Sequence, residues 1–132
     1  MKHFLFIFLL TCPLWVFSSC EDKLPGSKPE IFFGKWEHSY DYYWSYTTRH
    51  IVETYEFTKK GGSYTRFGYS PDDEQFKLNY ISKLADWSYD GKDIHFKDTD
   101  GGLWYQPVYG ITQDSLLLGS GPAYTIFFRI KE

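Results

Sequence analysis

The sequence predicts an all-β protein whose mature part is one domain of eight or nine short antiparallel strands. Three observations carry this. After residue 30 no window keeps a helical apolar period for three turns, while alternation of period two recurs. Glycine-rich and Asx-Gly turn signals punctuate the chain at short intervals. Aromatic residues make up 22% of the chain, with 12 Tyr and 5 Trp, and rings of this kind suit a pleated, half-buried surface. Strands of this number, joined in sequence by short loops, close as an up-and-down barrel or stack as a sandwich.

The first segment, "GKWEHSYDYYWSY", alternates most clearly. It places Trp36, His38, Tyr40, Tyr42, Trp44 and Tyr46 on one face and Lys35, Glu37, Ser39, Asp41, Tyr43 and Ser45 on the other. "HIVETYEF" follows, and Lys59 to Gly62 turn the chain into "SYTRFGY". "SPDDE" is a loop by composition, and "FKLNYISKL" a weaker strand. "ADWSY" and "DIHFK" flank Asp90-Gly91-Lys92, a strong hairpin signal. "DTDGG" makes the next turn before "LWYQPVYGIT", in which Pro107 argues for an edge or a bulge. Gln113 and Asp114 lead into "SLLLG", and "SGP" into "AYTIFFRIKE".

Upstream the chain has another character. Lys2 and His3 precede an apolar run from Phe4 to Phe17 of about 14 residues, short of the roughly 20 that span a bilayer as a helix. This is the layout of a secretory signal. Ser18 and Ser19 before Cys20 resemble the lipobox of bacterial lipoproteins, with Phe17 where Leu is usual. That resemblance implies cleavage after residue 19, a diacylglyceryl group on the Cys20 thiol, and firm anchoring by several acyl chains. Cys12 would leave with the signal, so Cys20 would have no partner within the chain. Glu21 and Asp22 look like the acidic signals with which some Gram-negative bacteria send lipoproteins to the cell surface. Residues 1–19 are therefore expected as signal peptide, 20–30 as a flexible tether rich in Pro and Gly, and 31–132 as the folded domain.

Gly34-Lys35-Trp36 at the start of the first strand, with Arg129 near the end of the last, resembles the lipocalins and, more closely, bacterial lipocalin-like lipoprotein domains. "YEFTKKGGSYT" looks like that family's second hairpin and "YGITQDSLLL" like its late hairpin. The resemblance implies an eight- or nine-stranded up-and-down β-barrel. It also implies a floor closed by Trp36 with Arg129 across its indole, and small-molecule binding in the mouth. Candidate ligand contacts are Tyr42, Trp44, Tyr46, Tyr55, Arg66 and Trp87, unless the rings simply fill the lumen. Glu53 shares the parity of Tyr55, and an inward Glu53–Arg66 pair is one outcome of the alternation; a bulge that turns Glu53 outward is the other.

The net charge of −3 and the lack of a basic run give nucleic acid no footprint. His38, His50 and His95 are scattered without ligand spacing, and "DTDGG" lacks the full calcium-loop pattern, so neither metal nor cofactor is expected. No G-x-S-x-G or other nucleophile motif appears, so the expectation is a non-enzyme and a monomer. Two other functions fit the same residues. One is a protein-interaction module, such as a hydrolase inhibitor or an accessory subunit of a surface complex. The other is a glycan binder using Tyr43, Trp44 and Trp104.

Overall fold

The computed structural model describes residues 23–131. Eight strands follow in order: β1 (Gly34–Trp44), β2 (Thr47–Phe57), β3 (Gly62–Tyr69), β4 (Lys77–Tyr89), β5 (Asp93–Asp98), β6 (Leu103–Ile111), β7 (Ser115–Leu118) and β8 (Thr125–Ile130). Each pairs antiparallel with the next, and β8 returns to β1, so the sheet closes into a barrel. The alternative of a stacked sandwich is thereby settled, and the architecture is compatible with the lipocalin-like expectation. The one helical turn among the described residues, Glu30–Phe32, is a 3-10 turn just before β1.

Two bulges explain why the strand count was ambiguous. The segments "FKLNYISKL" and "ADWSY" are one strand, β4, with a register shift between Leu84 and Asp86. Before the shift even-numbered Ser82 and Leu84 are buried; after it odd-numbered Trp87 is. An extra residue exchanges the faces, so the alternation breaks in mid-strand although the strand does not. The same happens in β6 between Val108 and Gly110. Pro107 lies opposite Asp93, at the terminal pair of the β5–β6 ladder, and its carbonyl accepts the Gly119 N–H at 2.8 Å.

The lower half of the barrel is filled. Phe32, Trp36, Phe57, Trp87, Phe96 and Leu116 are fully buried there, each Phe contributing about 2–3 kcal/mol by removal from water. The ring of Phe57 meets Trp87 edge-on at 4.9 Å, and the Trp87 Nε1–H donates to the Thr58 carbonyl at 2.8 Å. The Trp36 Nε1–H donates to the Phe32 carbonyl at 2.8 Å, which ties the 3-10 turn under the floor. Buried indoles here leave no polar atom unpaired.

Two expectations are corrected. Tyr46 is not on the strand face of Trp36. Ser45 and Tyr46 form the β1–β2 turn itself, both with left-handed φ, 52° and 66°, and Tyr46 is 89% exposed. Mutual positive φ is what the tight twist of a hairpin demands. The tether is corrected in part: Ser27 bridges Tyr89 through both backbone bonds, and the Ser88 hydroxyl donates to the Pro25 carbonyl. Lys28 pairs with Asp86. Residues 25–28 thus strap the end of β4. Cys20, the signal peptide and the acidic pair after the cysteine lie outside the described residues.

Candidate functional site

Above the filled floor the lumen holds a cavity of about 390 Å³. Cross-strand register builds its wall. Trp36, Tyr55 and Tyr64 stand opposite one another on β1, β2 and β3, and His38, Glu53 and Arg66 form the next row towards the mouth. Tyr40, Tyr55 and Tyr64 line the cavity from this side, with His38 and Glu53. Phe127 and Thr125 of β8, Leu118 of β7 and Gln106 of β6 line the opposite side. Glu53 keeps 20% of its side chain exposed, so the cavity communicates with water.

Glu53 therefore points inward, and β2 runs to Phe57 against β3 without a register shift. The Glu53 Oε1 lies 3.7 Å from Arg66 Nε, a contact of charges longer than a hydrogen bond. Arg66 also donates from Nη2 to the Tyr40 hydroxyl at 2.9 Å, and this bond, ahead of the surrounding charges, raises its pKa. Burial first, then the Glu53 charge, pushes the Tyr64 hydroxyl up to about 12. Burial does the same to Tyr55, more strongly, with the charges of Tyr64 and Glu53 adding to it. Both phenols therefore stay protonated donors at any ordinary pH. The His38 Nδ1 sits 3.1 Å from the Ile126 carbonyl, which can only accept, so Nδ1 carries a proton and Nε2 is the acceptor of the neutral ring.

The expected contacts divide. Tyr55 is in the cavity wall, and Arg66, on the row of His38 and Glu53, bonds the lining Tyr40 without lining the cavity itself. Tyr42 is at the rim, 37% exposed, beside Tyr40. Trp44 and Tyr46 are at the projecting hairpin tip, and Trp87 is sealed in the floor. A cavity bounded by Trp44, Tyr55 and Trp87 is accordingly not what forms. Trp104 is half-buried and stacks on Phe96 at 5.0 Å. The lining contributed by Tyr64, Gln106, Leu118, Thr125 and Phe127 was not anticipated. Phe127 and Thr125 were within reach, because they share the parity of Arg129 on β8.

At the floor the Arg129 guanidinium lies 4.1 Å from the centre of the Trp36 ring. Its Nη1 and Nη2 donate to the carbonyls of Phe33 and Ile31 at 2.5 and 2.6 Å, and Nε donates to Gln113 at 2.5 Å.

Two histidines have acidic company that the spacing did not suggest. His50 Nδ1 is 2.5 Å from Asp41 Oδ1, its cross-strand partner on β1. Asp90, Asp93 and His95 gather within 4.8 Å at the β4–β5 turn. There Asp90 accepts the N–H groups of Lys92 and Asp93 on Oδ1 and His95 Nε2 on Oδ2. Its carboxylate serves the turn.

No family model matches the chain, and no curated protein or solved structure matches it.

Proposed function

We propose that this chain is a lipocalin-like lipoprotein of the Gram-negative cell envelope that binds a small, partly apolar molecule in its lumen. The observation that carries the reading is the 390 Å³ cavity. It falls in the range of small-ligand sites, and it joins an aromatic wall to a few convergent polar groups. Binding would be passive: desolvation against Tyr55 and Phe127, with orientation by Glu53, His38 and Tyr40. The Trp36–Arg129 floor and the consecutive eight-stranded order support the lipocalin-like assignment. Attachment to the outer membrane through a lipid on Cys20 follows from the lipobox resemblance, and display at the cell surface from Glu21 and Asp22 after it. Loss of membrane association in Cys20→Ser tests that part.

The binding test is calorimetric titration of the purified protein with a panel of lipids, aromatic metabolites and amphipathic small molecules. Saturable binding that disappears in Thr125→Trp, a substitution that plugs the cavity from β8, is the expected result. No binding across the panel by a folded protein would defeat the reading. One observation favours a second reading, that of a protein-interaction module. Tyr43, Trp44 and Tyr46 cluster at the hairpin tip, 67%, 62% and 89% exposed, and large exposed rings of this kind mark contact sites.

A further inference from the structure

We infer that the lumen cavity takes an organic ammonium ion, an amine or quaternary ammonium on a small apolar or aromatic body, with its charge held between Glu53 and the surrounding rings. The inference rests on the reading of the cavity as a ligand site and names the chemistry of the ligand.

The charge pattern comes first. Among the residues that line the cavity Glu53 is the acidic one, and neither Lys nor Arg lines it. The second observation is the wall. Tyr40 and His38 are 5.4 Å apart between ring centres, His38 and Phe127 5.5 Å, Phe127 and Tyr55 5.3 Å, and Tyr55 and Tyr64 4.7 Å. Five rings in contact thus run around the space beside one carboxylate. The faces of such rings carry negative potential and attract cations, most strongly where water is excluded.

Hydrogen-bond direction is the third. The Ile126 carbonyl fixes the proton of His38 on Nδ1, so Nε2 of the neutral ring is an acceptor. The 3.7 Å to Arg66 is beyond hydrogen-bond length, which leaves lone-pair sites of the Glu53 carboxylate open. An ammonium N–H or a positively charged methyl group completes this set. An anion would meet the Glu53 charge, and a purely apolar guest would strip that carboxylate of water without replacing it.

Arg66 is the competing cation. It shares the inward row of Glu53, 3.7 Å from it, does not line the cavity, and is committed to Tyr40 through Nη2. This position compensates the Glu53 charge without filling its acceptors. The arrangement makes opposite predictions for the two charges. Removing Arg66 strengthens a cationic guest and weakens an anionic one.

The test is calorimetric titration with three probes of similar shape: phenethylammonium, 2-phenylethanol and 3-phenylpropanoate. Phenethylammonium is expected to bind about tenfold or more tightly than the alcohol, as a charge-assisted contact should, and the carboxylate not to bind. Glu53→Gln should abolish the preference, and Arg66→Gln should tighten the cation by several-fold, with circular dichroism confirming the fold of each variant. Equal or better binding of the alcohol or the carboxylate overturns the inference, as does a preference that survives Glu53→Gln. If none of the three binds but another small molecule occupies the cavity, the amine assignment falls and the ligand site stands. If nothing binds there at all, both fall.

Discussion

The guanidinium of Arg129 lies over the indole of Trp36 at 4.1 Å while all three of its nitrogens donate to backbone carbonyls. One side chain thereby joins the last strand to the first, to the segment before it, and to the β6–β7 turn. Arg129→Met should lower stability by about 3 kcal/mol, since it removes the cation–π contact and orphans carbonyls under the floor. Arg129→Lys should recover less than half of that, because a point charge cannot serve three acceptors arranged around a planar fork. Urea midpoints measured at constant slope would check both. A loss below about 1 kcal/mol in Arg129→Met would show the floor to be held by packing alone.

Tyr46 occupies a left-handed conformation with no Gly or Asn to favour it. That backbone costs a residue with a Cβ roughly 1–2 kcal/mol. Tyr46→Gly should therefore raise stability by about 1 kcal/mol even after the added chain entropy of glycine. In a domain of this size the melting temperature should rise by a few degrees. A lower melting temperature would mean that the Tyr46 ring makes a contact worth more than the strain.

Burial, and after it the charge of Glu53, pushes the Tyr64 hydroxyl up to about 12. A raised tyrosine pKa favours the protonated native state, so the linked stability is present below pH 10 and is lost as pH rises from 10 to 12. Ultraviolet titration should show Tyr64 ionising after the exposed tyrosines. Glu53→Gln should bring it earlier, and an unchanged curve would remove Glu53 as a cause.

Asp90 is the corresponding acid-side group. The Asp93 backbone N–H, then His95 and the Lys92 N–H, hold its pKa down to about 2 from 3.8. A depressed carboxyl contributes stability above pH 3.8 that is lost as pH falls towards 2. Asp90→Asn should flatten the fall in urea midpoint between pH 4.5 and 2. If wild type and variant lose stability in parallel, the turn is not linked to the proton.

The first three strands were legible because their inward and outward residues keep phase from Gly34 to Tyr69, apart from one turn. That turn was hidden since Ser45 and Tyr46 carry no composition signal for positive φ. In β4 and β6 the phase changes at Ala85 and Tyr109, so alternation alone divides or misassigns them. The strap was misread because Pro25 and Gly26 signal looseness, whereas the bridge from Ser27 to Tyr89 is a tertiary contact without local pattern. The site was half legible for the same reason. Tyr55, Arg66 and the inward option for Glu53 follow from parity on neighbouring strands. Which residues of β6, β7 and β8 face them across the lumen depends on how far the strands are staggered on closure, and no local window contains that.

β1 and β2 share a ladder of paired residues from Gly34–Phe57 to Trp44–Thr47, but β1 meets β8 only at Lys35–Ile130, Trp36–Arg129 and Glu37–Phe128. Just above that seam the His38 ring, not the backbone, reaches Ile126. The join links opposite ends of the domain, so nearly the whole chain must be looped before it forms. It is therefore the last zipper to close in folding, and the Arg129 clamp over Trp36 is what holds it shut afterwards. Until it closes, two strand edges stay unpaired, which makes this late join the step at which the folding barrel is exposed to misassociation.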